Sequence, residues 1–411
     1  MEVLVQKFGG TSVQTAENRI HVINHIKDGI DSNYKIVVVV SALGRKPDPY
    51  ATDTLLDLVS FPAHYNSNRE LDLLMSCGEI ISSVLLTNDL KRHNISSIAL
   101  TGAQAGFVTS DDFTKAKIKQ VHPERIQHEF ETHDVIVITG FQGGTKRGEI
   151  TTIGRGGSDT TAAAIGASLE AERIEIFTDV SGIMTADPRV VAQARSLDIV
   201  TYDEICNLAY QGAKVVHPRA VEIAMQARIP MRVRSTYSMA PGTLVTLSKM
   251  RESNINDSRQ LMTGIAHMSE ITQIRVEMKD EAHDHQSSVF KAMAEAGISV
   301  DFINISPTSV VYTIPHTLTD KAIHILESMD YNPGITRHCA KVSAVGAGMA
   351  GVPGVASKIV GALTNKGVQI LQSADSHTTI WVLIHDKDLK VAVNALHDVF
   401  GLGYEFNHGQ E

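Results

Sequence analysis

Short apolar runs and longer amphipathic segments alternate between residues 1 and 245. Val3–Val5, Ile36–Val40 and Val135–Ile138 are continuous apolar runs, as expected of strands that are buried on both faces of a sheet. Between Val13 and Ile26, apolar residues recur at three- and four-residue spacing, which predicts a helix face. This alternation predicts a mainly parallel sheet with helices on both faces. Further strands are predicted at Ile98–Leu100, at Ile174–Phe177 and, as the closing strand of the sheet, at Met231–Ser235. Further helices are predicted at Leu71–Leu90, Thr160–Leu169 and Tyr202–Ala227.

The loop after the first strand has a composition suited to phosphate. Lys7-Phe8-Gly9-Gly10-Thr11-Ser12 joins the strand to the helix, and Ser12 is a predicted N-cap. Two glycines let the backbone approach a bulky anion, and the free N–H groups of a helix N-terminus favour negative charge, to which Lys7 adds its cation. The loop therefore predicts a phosphate cradle. The alternative is an ordinary strand–turn–helix, since the chain has no G-x-x-x-x-G-K-[ST] motif.

Polar residues also follow the other predicted strands. Ser41, Thr139 and Thr178 each come directly after an apolar run. Ligands of open parallel sheets bind beyond the carboxyl ends of the strands. The sequence therefore predicts that these loops converge on one site.

Three later segments carry charged residues at loop positions. Thr151–Asp159 is rich in glycine, and its Arg155 can hold a carboxylate or a phosphate with two hydrogen bonds. Phe177–Arg189 combines two carboxylates with an arginine after a strand, which suits a base, a ribose or a metal-bound phosphate. Gly212–Arg219 brings two cations near a helix end. The structural alternatives are an N-cap, a solvated turn and compensation of a helix dipole, respectively.

The C-terminal part of the chain contains an internal repeat. Ser287–Ile314 aligns without gaps on Ser357–Ile384, at an offset of 70 residues. Each copy reads as strand, loop, helix, strand, strand and helix, and is too small for a large core of its own. Two copies side by side would bury a shared face and leave a cleft for a small ligand. The predicted organisation is one domain over 1–246, a linker over 247–263, and two modules over 264–337 and 338–411.

A glycine-rich stretch in the second module, Gly346–Gly351, fits the dinucleotide pattern G-x-G-x-x-G. A dinucleotide site also needs a larger sheet than the rest of the chain can build. The favoured interpretation is a bend ahead of a helix that begins near Pro353. A nicotinamide-dependent enzyme is the alternative.

Composition argues against several classes of function. The formal net charge is −9 and the acids are spread along the chain, so the basic face of a nucleic-acid-binding protein is not expected. The three cysteines, Cys77, Cys206 and Cys339, are far apart, which predicts a reducing, cytoplasmic environment and no disulfide framework. The chain enters a strand almost at once and has no long apolar run, so neither a signal peptide nor a membrane span is expected.

In their order along the chain, these motifs resemble those of the aspartokinases, within the wider amino-acid kinase family. The resemblance covers essentially the whole chain, and the repeat resembles the paired ACT domains of that family. It is strongest to the short, monofunctional Bacillus-type enzymes, in particular the diaminopimelate-sensitive isozyme. The implied α/β fold is a three-layer αβα sandwich with a mainly parallel sheet, followed by two ACT-like βαββαβ modules whose interleaving is left open. The matching motifs are Lys-Phe-Gly-Gly-Thr-Ser at 7–12, Cys77-Gly78-Glu79, Gly154–Asp159, and Thr178-Asp179 with Gly182-Ile183 and Asp187-Pro188-Arg189.

The resemblance implies transfer of the γ-phosphoryl group of ATP to the β-carboxylate of L-aspartate, the first step towards lysine, threonine, methionine and diaminopimelate. An aspartate carboxylate is ionised at neutral pH, so the site needs charge neutralisation and positioning rather than a general base. Mg²⁺ is implied as the partner of ATP, without a metal site made of protein ligands alone.

The family's functional residues carry over to the matching positions. Lys7 would bridge the transferring phosphate and the acceptor, and Asp159 would orient Lys7 directly or through Mg²⁺. Arg155 would hold a substrate carboxylate, and Glu79 would meet the aspartate ammonium. The other implied aspartate contacts are Ser41, Thr52 and Ser158. The other implied ATP contacts are Gly9 and Gly10 through backbone N–H groups, together with Thr11, Thr178, Asp179, Met184, Asp187, Arg189 and Lys214; the family often has an aromatic residue in place of Met184.

Feedback control by an amino acid is implied by the tandem repeat. Lysine, threonine and diaminopimelate are the candidate effectors, and their candidate ligands are Ser287, Asp301, Asn304 and Ser376. An exposed half-sheet favours pairing with a second copy, so a homo-oligomer is expected. Two alternatives stay open besides the nicotinamide enzyme: a kinase for glutamate or N-acetylglutamate, and an amino-acid sensor without catalysis.

Overall fold

The computed structural model describes residues 2–63, 65–213, 215–247, 261–277, 284–347, 349 and 352–403. The chain divides into two compact units. The first consists of Met1–Met184, Ser196–Ala209 and Lys214–Ser253, and the second of Thr185–Arg195, Tyr210–Ala213 and Asn254–Glu411. Most of the predicted linker, 248–260, lies outside the described residues.

The elements of the first unit alternate between strand and helix over most of its length. In chain order they are β1 (Val3–Phe8), α1 (Gly10–Val13), α2 (Ala16–Asp31), β2 (Lys35–Val40), α3 (Thr52–Asp57), α4 (Asn68–Arg92), β3 (Ser97–Leu100), β4 (Phe107–Thr109), β5 (Ile118–Val121), α5 (Glu124–Glu129), β6 (Val135–Thr139), β7 (Gln142–Gly144), β8 (Ile150–Thr152), α6 (Gly157–Ser168), β9 (Arg173–Thr178), β10 (Ile199–Thr201), α7 (Tyr202–Tyr210), α8 (Pro218–Ala227), β11 (Met231–Ser235) and β12 (Thr243–Thr246).

An eight-stranded sheet forms the centre of this unit, in the order β10-β12-β11-β9-β1-β2-β6-β3. Its strand pairs are parallel except for β11 with β12, so the predicted mainly parallel sheet is confirmed. The sequence interpretation ended the sheet at β11, which was wrong. Strands β12 and β10 extend the sheet beyond it, and their short segments of three or four residues gave no strong periodic signal.

Helices cover both faces of this sheet. Leu4 and Phe8 of β1 pack on one face with buried residues of α2 and α4. Val5 points to the opposite face, where α6 runs so close that a Cβ on Gly166 would lie 2.8 Å from the Ile174 side chain. The small residues of α6 thus make the close approach possible, and the result is the predicted three-layer arrangement.

A second, four-stranded sheet in the order β5-β4-β7-β8 was not predicted. Its strands are three or four residues long, and two glycines occupy most of β7. Such segments lack the alternation that marks a strand in a sequence.

The second unit contains both copies of the repeat. Its elements are β13 (Gly264–Glu277), α9 (Asp284–Glu295), β14 (Asp301–Ile305), β15 (Ser309–Pro315), α10 (Thr319–Ser328), β16 (Gly334–Val345), α11 (Val355–Asn365), β17 (Gln372–Asp375), β18 (Thr379–His385) and α12 (Leu389–Val399). They build one six-stranded antiparallel sheet in the order β14-β15-β13-β16-β18-β17.

The two long central strands serve both copies. In β13, Ile274 lies in the core that contains α9 and α10, whereas Ile265 lies in the core that contains α11 and α12. A register shift between Met268 and Ile271 separates the two halves of the strand. The two modules are therefore interleaved at their central strands.

The segment 185–195 is part of the second unit. Ala186 and Val191 are buried in the core around α11 and α12. Asn394 of α12 donates to the Val190 carbonyl at 3.0 Å, and the Ile265 N–H donates to the Thr185 carbonyl at 2.8 Å. Side-chain packing and backbone bonds both hold this segment in the second unit.

The glycine-rich stretch follows β16, which pairs antiparallel with β13 and β18, whereas a dinucleotide fold has parallel strands there. A Cβ on Gly346 would lie 2.1 Å from the Leu261 carbonyl oxygen, so this glycine serves close backbone packing. Gly348, Ala350 and Gly351 lie outside the described residues, and α11 begins at Val355.

Candidate active site

An ion pair at the carboxyl end of β1 forms the centre of the candidate site. The Lys7 Nζ lies 2.7 Å from the Asp159 Oδ1, and both side chains are largely buried. Asp159 occupies the first turn of α6, and its Oδ2 accepts a hydrogen bond from the His217 backbone N–H at 3.1 Å. The structure thus brings together two residues that are 152 positions apart in the sequence, as expected if the loops converge.

The glycine loop leaves open space beside Lys7. A Cβ on Gly9 would meet nothing closer than the Lys7 Nζ, at 3.8 Å. Gly10 has the opposite environment, because a Cβ there would lie 2.5 Å from the Ala42 carbonyl oxygen. Gly9 therefore borders the free space next to the cation, and Gly10 allows the loop to pack against the turn after β2.

The predicted N-cap at Ser12 was wrong. Ser12 lies inside the short helix α1, whose N-cap is Gly9, and its hydroxyl is 2.7 Å from the Thr236 hydroxyl. The next helix, α2, is capped by Thr15, whose side chain accepts from the Asn18 N–H at 3.1 Å. A four-residue helix between strand and long helix moved the cap by three positions.

Ser41, Ser158 and Glu79 lie around the turn that follows β2. The Ser41 hydroxyl donates to the Ser158 hydroxyl at 3.0 Å. Glu79 is buried in α4, and its Oε1 accepts from the Ala42 N–H at 3.1 Å, whereas its Oε2 is buried without a partner among the described residues. Burial raises the pKa of Glu79 to about 8. A buried carboxyl with one unused oxygen is suited to receive a cationic group.

Arg155 and Thr52 are accessible for a ligand. Arg155 is exposed and lies between Gly154 and Gly156, which have φ values of 78° and 71°. A Cβ on Gly156 would lie 2.1 Å from the His217 ring, so glycine is required there for both conformation and space. No hydrogen bond or ion pair of the Arg155 side chain occurs within the described parts of the chain. Thr52 is half-buried at the first residue of α3.

The predicted ATP contacts fall in both units. In the first unit, Thr178 ends β9 and donates to the Asp179 carboxylate at 3.1 Å, and Met184 forms a β-bridge with Ser196. Thr11 offers its carbonyl to Asn18 at 2.8 Å. In the second unit, Arg189 donates to Asp187 at 2.7 Å, and this bond lowers the pKa of Asp187. Lys214 lies outside the described residues.

The predicted effector ligands all lie on the surface of the second unit. Ser287 and Asn304 are exposed, and Asp301 forms an ion pair with the buried Lys341 at 2.5 Å. Ser376 accepts from the Thr379 N–H at 3.1 Å in the turn between β17 and β18. The turn 70 residues earlier has the same bond from the Ser309 N–H to Ser306, so Ser376 has a structural role in the repeat.

Asp72 supports the site and was missed by the sequence interpretation. This fully buried carboxylate accepts from the Thr152 N–H at 2.9 Å, from the Thr152 hydroxyl at 2.6 Å and from the Thr114 N–H at 3.0 Å. It therefore fixes the end of β8, from which the Arg155 turn starts. A signal was available, because Asp72 precedes Glu79 by seven residues and such residues share a helix face.

Replacing Asp72 with alanine should lower the free energy of unfolding of the first unit by about 3 kcal/mol, since it leaves buried donors without partners. Urea unfolding followed by circular dichroism would measure this loss. Asp111→Ala, at an exposed position of the hairpin between β4 and β5, is the matched control and should change stability by less than about 0.5 kcal/mol. Equal stability of the two variants would contradict the supporting role.

The chain matches the amino acid kinase family over residues 2–235 and the ACT domain over residues 334–398. Aspartokinase 1 of Bacillus subtilis is 59% identical to it over 402 residues, which cover 98% of this chain and 100% of that protein. The aspartokinase of Geobacillus stearothermophilus is 38% identical, with 98% of each chain covered.

Solved structures show the same relationship. E. coli aspartokinase III in complex with aspartate and ADP, in the R-state, has a TM-score of 0.79 at 26% identity and covers 97% of this chain and 99% of its own. The same enzyme with lysine and aspartate, in the T-state, has a TM-score of 0.75. Sequence motifs, sheet order and these relatives agree, and the chain belongs to the aspartokinases, within the amino acid kinase family.

Proposed function

We propose that this chain transfers the γ-phosphoryl group of ATP to the β-carboxylate of L-aspartate and so forms 4-phospho-L-aspartate and ADP. The observation that carries the proposal is the Lys7–Asp159 ion pair at the end of β1, next to the open backbone of Gly9. A cation held in this way keeps its position during phosphoryl transfer and can stabilise the negative charge of the transferring group.

Lys7 would neutralise charge on the transferring phosphoryl group and on the attacking carboxylate. No general base is required, because the acceptor is already ionised at neutral pH. Asp159 would keep the Lys7 ammonium aimed at the reacting atoms, since the His217 N–H holds the second carboxylate oxygen. The backbone N–H groups of Gly9 and Gly10 would contact the phosphates.

The aspartate would bind between the turn after β2 and the Arg155 turn. Glu79 would pair with its ammonium through the unpartnered Oε2, and Arg155 would hold a carboxylate. Ser41, Ser158 and Thr52 would supply polar contacts. The buried Glu79 carboxyl can ionise and pair through its unpartnered Oε2 with a free ammonium, which argues against N-acetylglutamate as the substrate.

The ATP side would be formed by Thr11, Thr178, Asp179 and Met184, and the assignments of Asp187, Arg189 and Lys214 stay predictions. Mg²⁺ fits the available donors, because the hard carboxylate oxygens of Asp159 and Asp179 follow the carboxyl ends of strands. Bound with the phosphates of ATP, the ion would reduce their negative charge. Among the described residues no cluster of three or more acidic, His or Cys side chains could hold a metal alone.

Effector binding to the ACT-like modules is the second part of the proposal, with lysine, threonine or diaminopimelate as ligand. Ile303 and Ile305 are exposed on the edge strand β14, which supports a homo-oligomer paired at this edge. None of the described helices is long and apolar enough to cross a bilayer. All three cysteines are free thiols, which supports the proposed cytoplasmic location.

The decisive experiment measures ADP release from MgATP with L-aspartate, L-glutamate or N-acetyl-L-glutamate as acceptor. Trapping with hydroxylamine would identify the acyl phosphate. We expect turnover with L-aspartate at least about a hundredfold above the other two acids, since each lacks a matching contact. Equal turnover with glutamate, or effector binding without ATP turnover, would contradict the proposal.

A further inference from the structure

Three arginines and one glutamate meet on a single face of the eight-stranded sheet. Arg173 and Glu175 lie on β9, and Arg232 and Arg234 lie on the neighbouring strand β11, where Arg232 is directly opposite Glu175. Together with Met239 and Pro241 they line an open groove of about 270 Å³.

The Arg173 end of this groove lies away from the predicted nucleotide contacts. Arg173 is the first residue of β9 and Thr178 is the last. They are five residue steps apart along the strand, which corresponds to roughly 16 Å at about 3.3 Å per step. The groove therefore begins at the amino end of a strand whose carboxyl end carries the predicted nucleotide contacts.

The groove contains three cations and only one carboxylate among its lining residues, that of Glu175. The Glu175 Oε1 accepts from the Arg173 Nε and from the Arg234 Nη1, each at 3.1 Å. The other oxygen accepts from the Gln6 Nε2 at 3.1 Å. Glu175 is thus fully engaged, and three positive charges against one negative charge leave the groove with an excess of two.

Arg234 is bound tightly to the protein and is not available to a ligand. It is nearly buried, donates to the Ala240 and Met239 carbonyls at 3.3 and 3.4 Å, and lies 5.4 Å from the centre of the Phe177 ring. These contacts fix the turn after β11.

Arg232 has the opposite character. Its Nη1 donates to the Pro241 carbonyl at 3.2 Å, and within the described residues it has no carboxylate partner. Partial burial and the charges of Arg173 and Arg234 lower the pKa of Arg232. The positive charge of Arg232 is therefore disfavoured by its surroundings in the groove. Its Nε and Nη2, and the Nη1 of Arg173, remain able to donate.

We propose that this groove is a binding site for a small dianion, a phosphate group, held by Arg232 and Arg173. Guanidinium groups bind phosphate with paired hydrogen bonds, and a dianion matches the excess of two charges. The phosphate could be inorganic or part of a phosphorylated metabolite. The proposal does not depend on the reaction catalysed at Lys7.

The test compares binding of inorganic phosphate and of glycerol 3-phosphate with chloride at equal ionic strength, by titration calorimetry and thermal unfolding. Lys7→Ala removes one of the active-site cations that compete for phosphate, and this variant should still bind phosphate in the groove. In that background, Arg232→Gln should raise the Kd at least tenfold, and Arg92→Gln, at an exposed position in the last turn of α4, should leave it unchanged. Tighter binding of glycerol 3-phosphate than of phosphate would identify a metabolite as the ligand.

Folding and specificity need separate controls. Aspartokinase activity of Arg232→Gln with Lys7 intact should equal that of the unmodified chain. If Arg232→Gln does not fold, Arg232→Lys keeps the charge but loses the paired donors, and it should also weaken phosphate binding. Phosphate binding that disappears with Lys7→Ala, or that is equally strong with and without the Arg232 guanidinium, would overturn the proposal.

Discussion

Replacing Lys7 with alanine is expected to lower kcat for phosphorylation of aspartate by about 10³-fold, because a fixed cation would no longer compensate the charge of two anionic reactants. The Kd for ATP should rise by a smaller factor, since backbone N–H groups still contact the phosphates. The matched control is Lys35→Ala. Lys35 lies on the neighbouring strand β2, is partly exposed and forms an ion pair with Asp134. Single-turnover kinetics at saturating ATP would measure the change.

The ion pair with Asp159 makes a second outcome predictable. Asp159→Asn should reduce kcat on its own, because Lys7 loses the partner that aims it. In the Lys7→Ala background the same substitution should have little further effect, since residues that act as a unit are not additive. Additive losses, or Lys7→Ala activity within tenfold of the unmodified enzyme, would contradict the role assigned to the pair.

Replacing Glu79 with glutamine is expected to raise the KM for aspartate by about a hundredfold, since the substrate ammonium loses its anionic partner. At neutral pH, a carboxyl whose pKa is raised to about 8 is mostly protonated before aspartate binds and must ionise to pair with the ammonium. Aspartate binding at pH 7 should therefore release close to one proton. Calorimetry in two buffers of different ionisation enthalpy would detect this release, which should vanish in Glu79→Gln.

The same substitution should stabilise the free protein in alkaline solution. The pKa of Glu79 in the folded state is about 8, above its ordinary value of 4.5, so the neutral carboxyl contributes stability that is full below pH 4.5 and is lost as pH rises through 8. Glutamine stays neutral, so at pH 8 the free energy of unfolding of Glu79→Gln should exceed that of the unmodified chain by roughly 4 kcal/mol. The control Glu131→Gln, at an exposed position, should change neither the proton release on aspartate binding nor the stability at pH 8. A destabilised Glu79→Gln at pH 8 would refute the assignment.

The parts of the fold that the sequence predicted are those with a strong local pattern. Strand β2 is a continuous run of apolar residues, and α4 is a long helix with clear ends. The paired turns of the repeat, at Gly297 and Gly367, both have φ near 70°, as the alignment at an offset of 70 residues implies. Such features are set by neighbours in the chain, so they can be read without the structure.

The parts that the sequence did not predict depend on distant residues. In the four-stranded sheet, the end of β8 is held by hydrogen bonds to Asp72, 80 residues earlier in the chain. The excess charge beside Arg232 arises only when β9 and β11 pair. The Lys7–Asp159 contact was anticipated through family motifs, whereas its support by the His217 N–H was not, because a backbone donor leaves no trace in residue type.

The placement of segment 185–195 limits how this enzyme could be recombined with its relatives. The chain passes from the first unit to the second at Thr185 and back at Ser196, long before the C-terminal repeat begins. In a chimera joined at the predicted linker, Ala186 and Val191 of one enzyme would pack against the α12 helix of another. Cavities or clashes would then replace the native packing around these two residues. Exchange of feedback specificity between aspartokinases should therefore succeed when residues 185–195 are transferred together with the C-terminal repeat against which they pack.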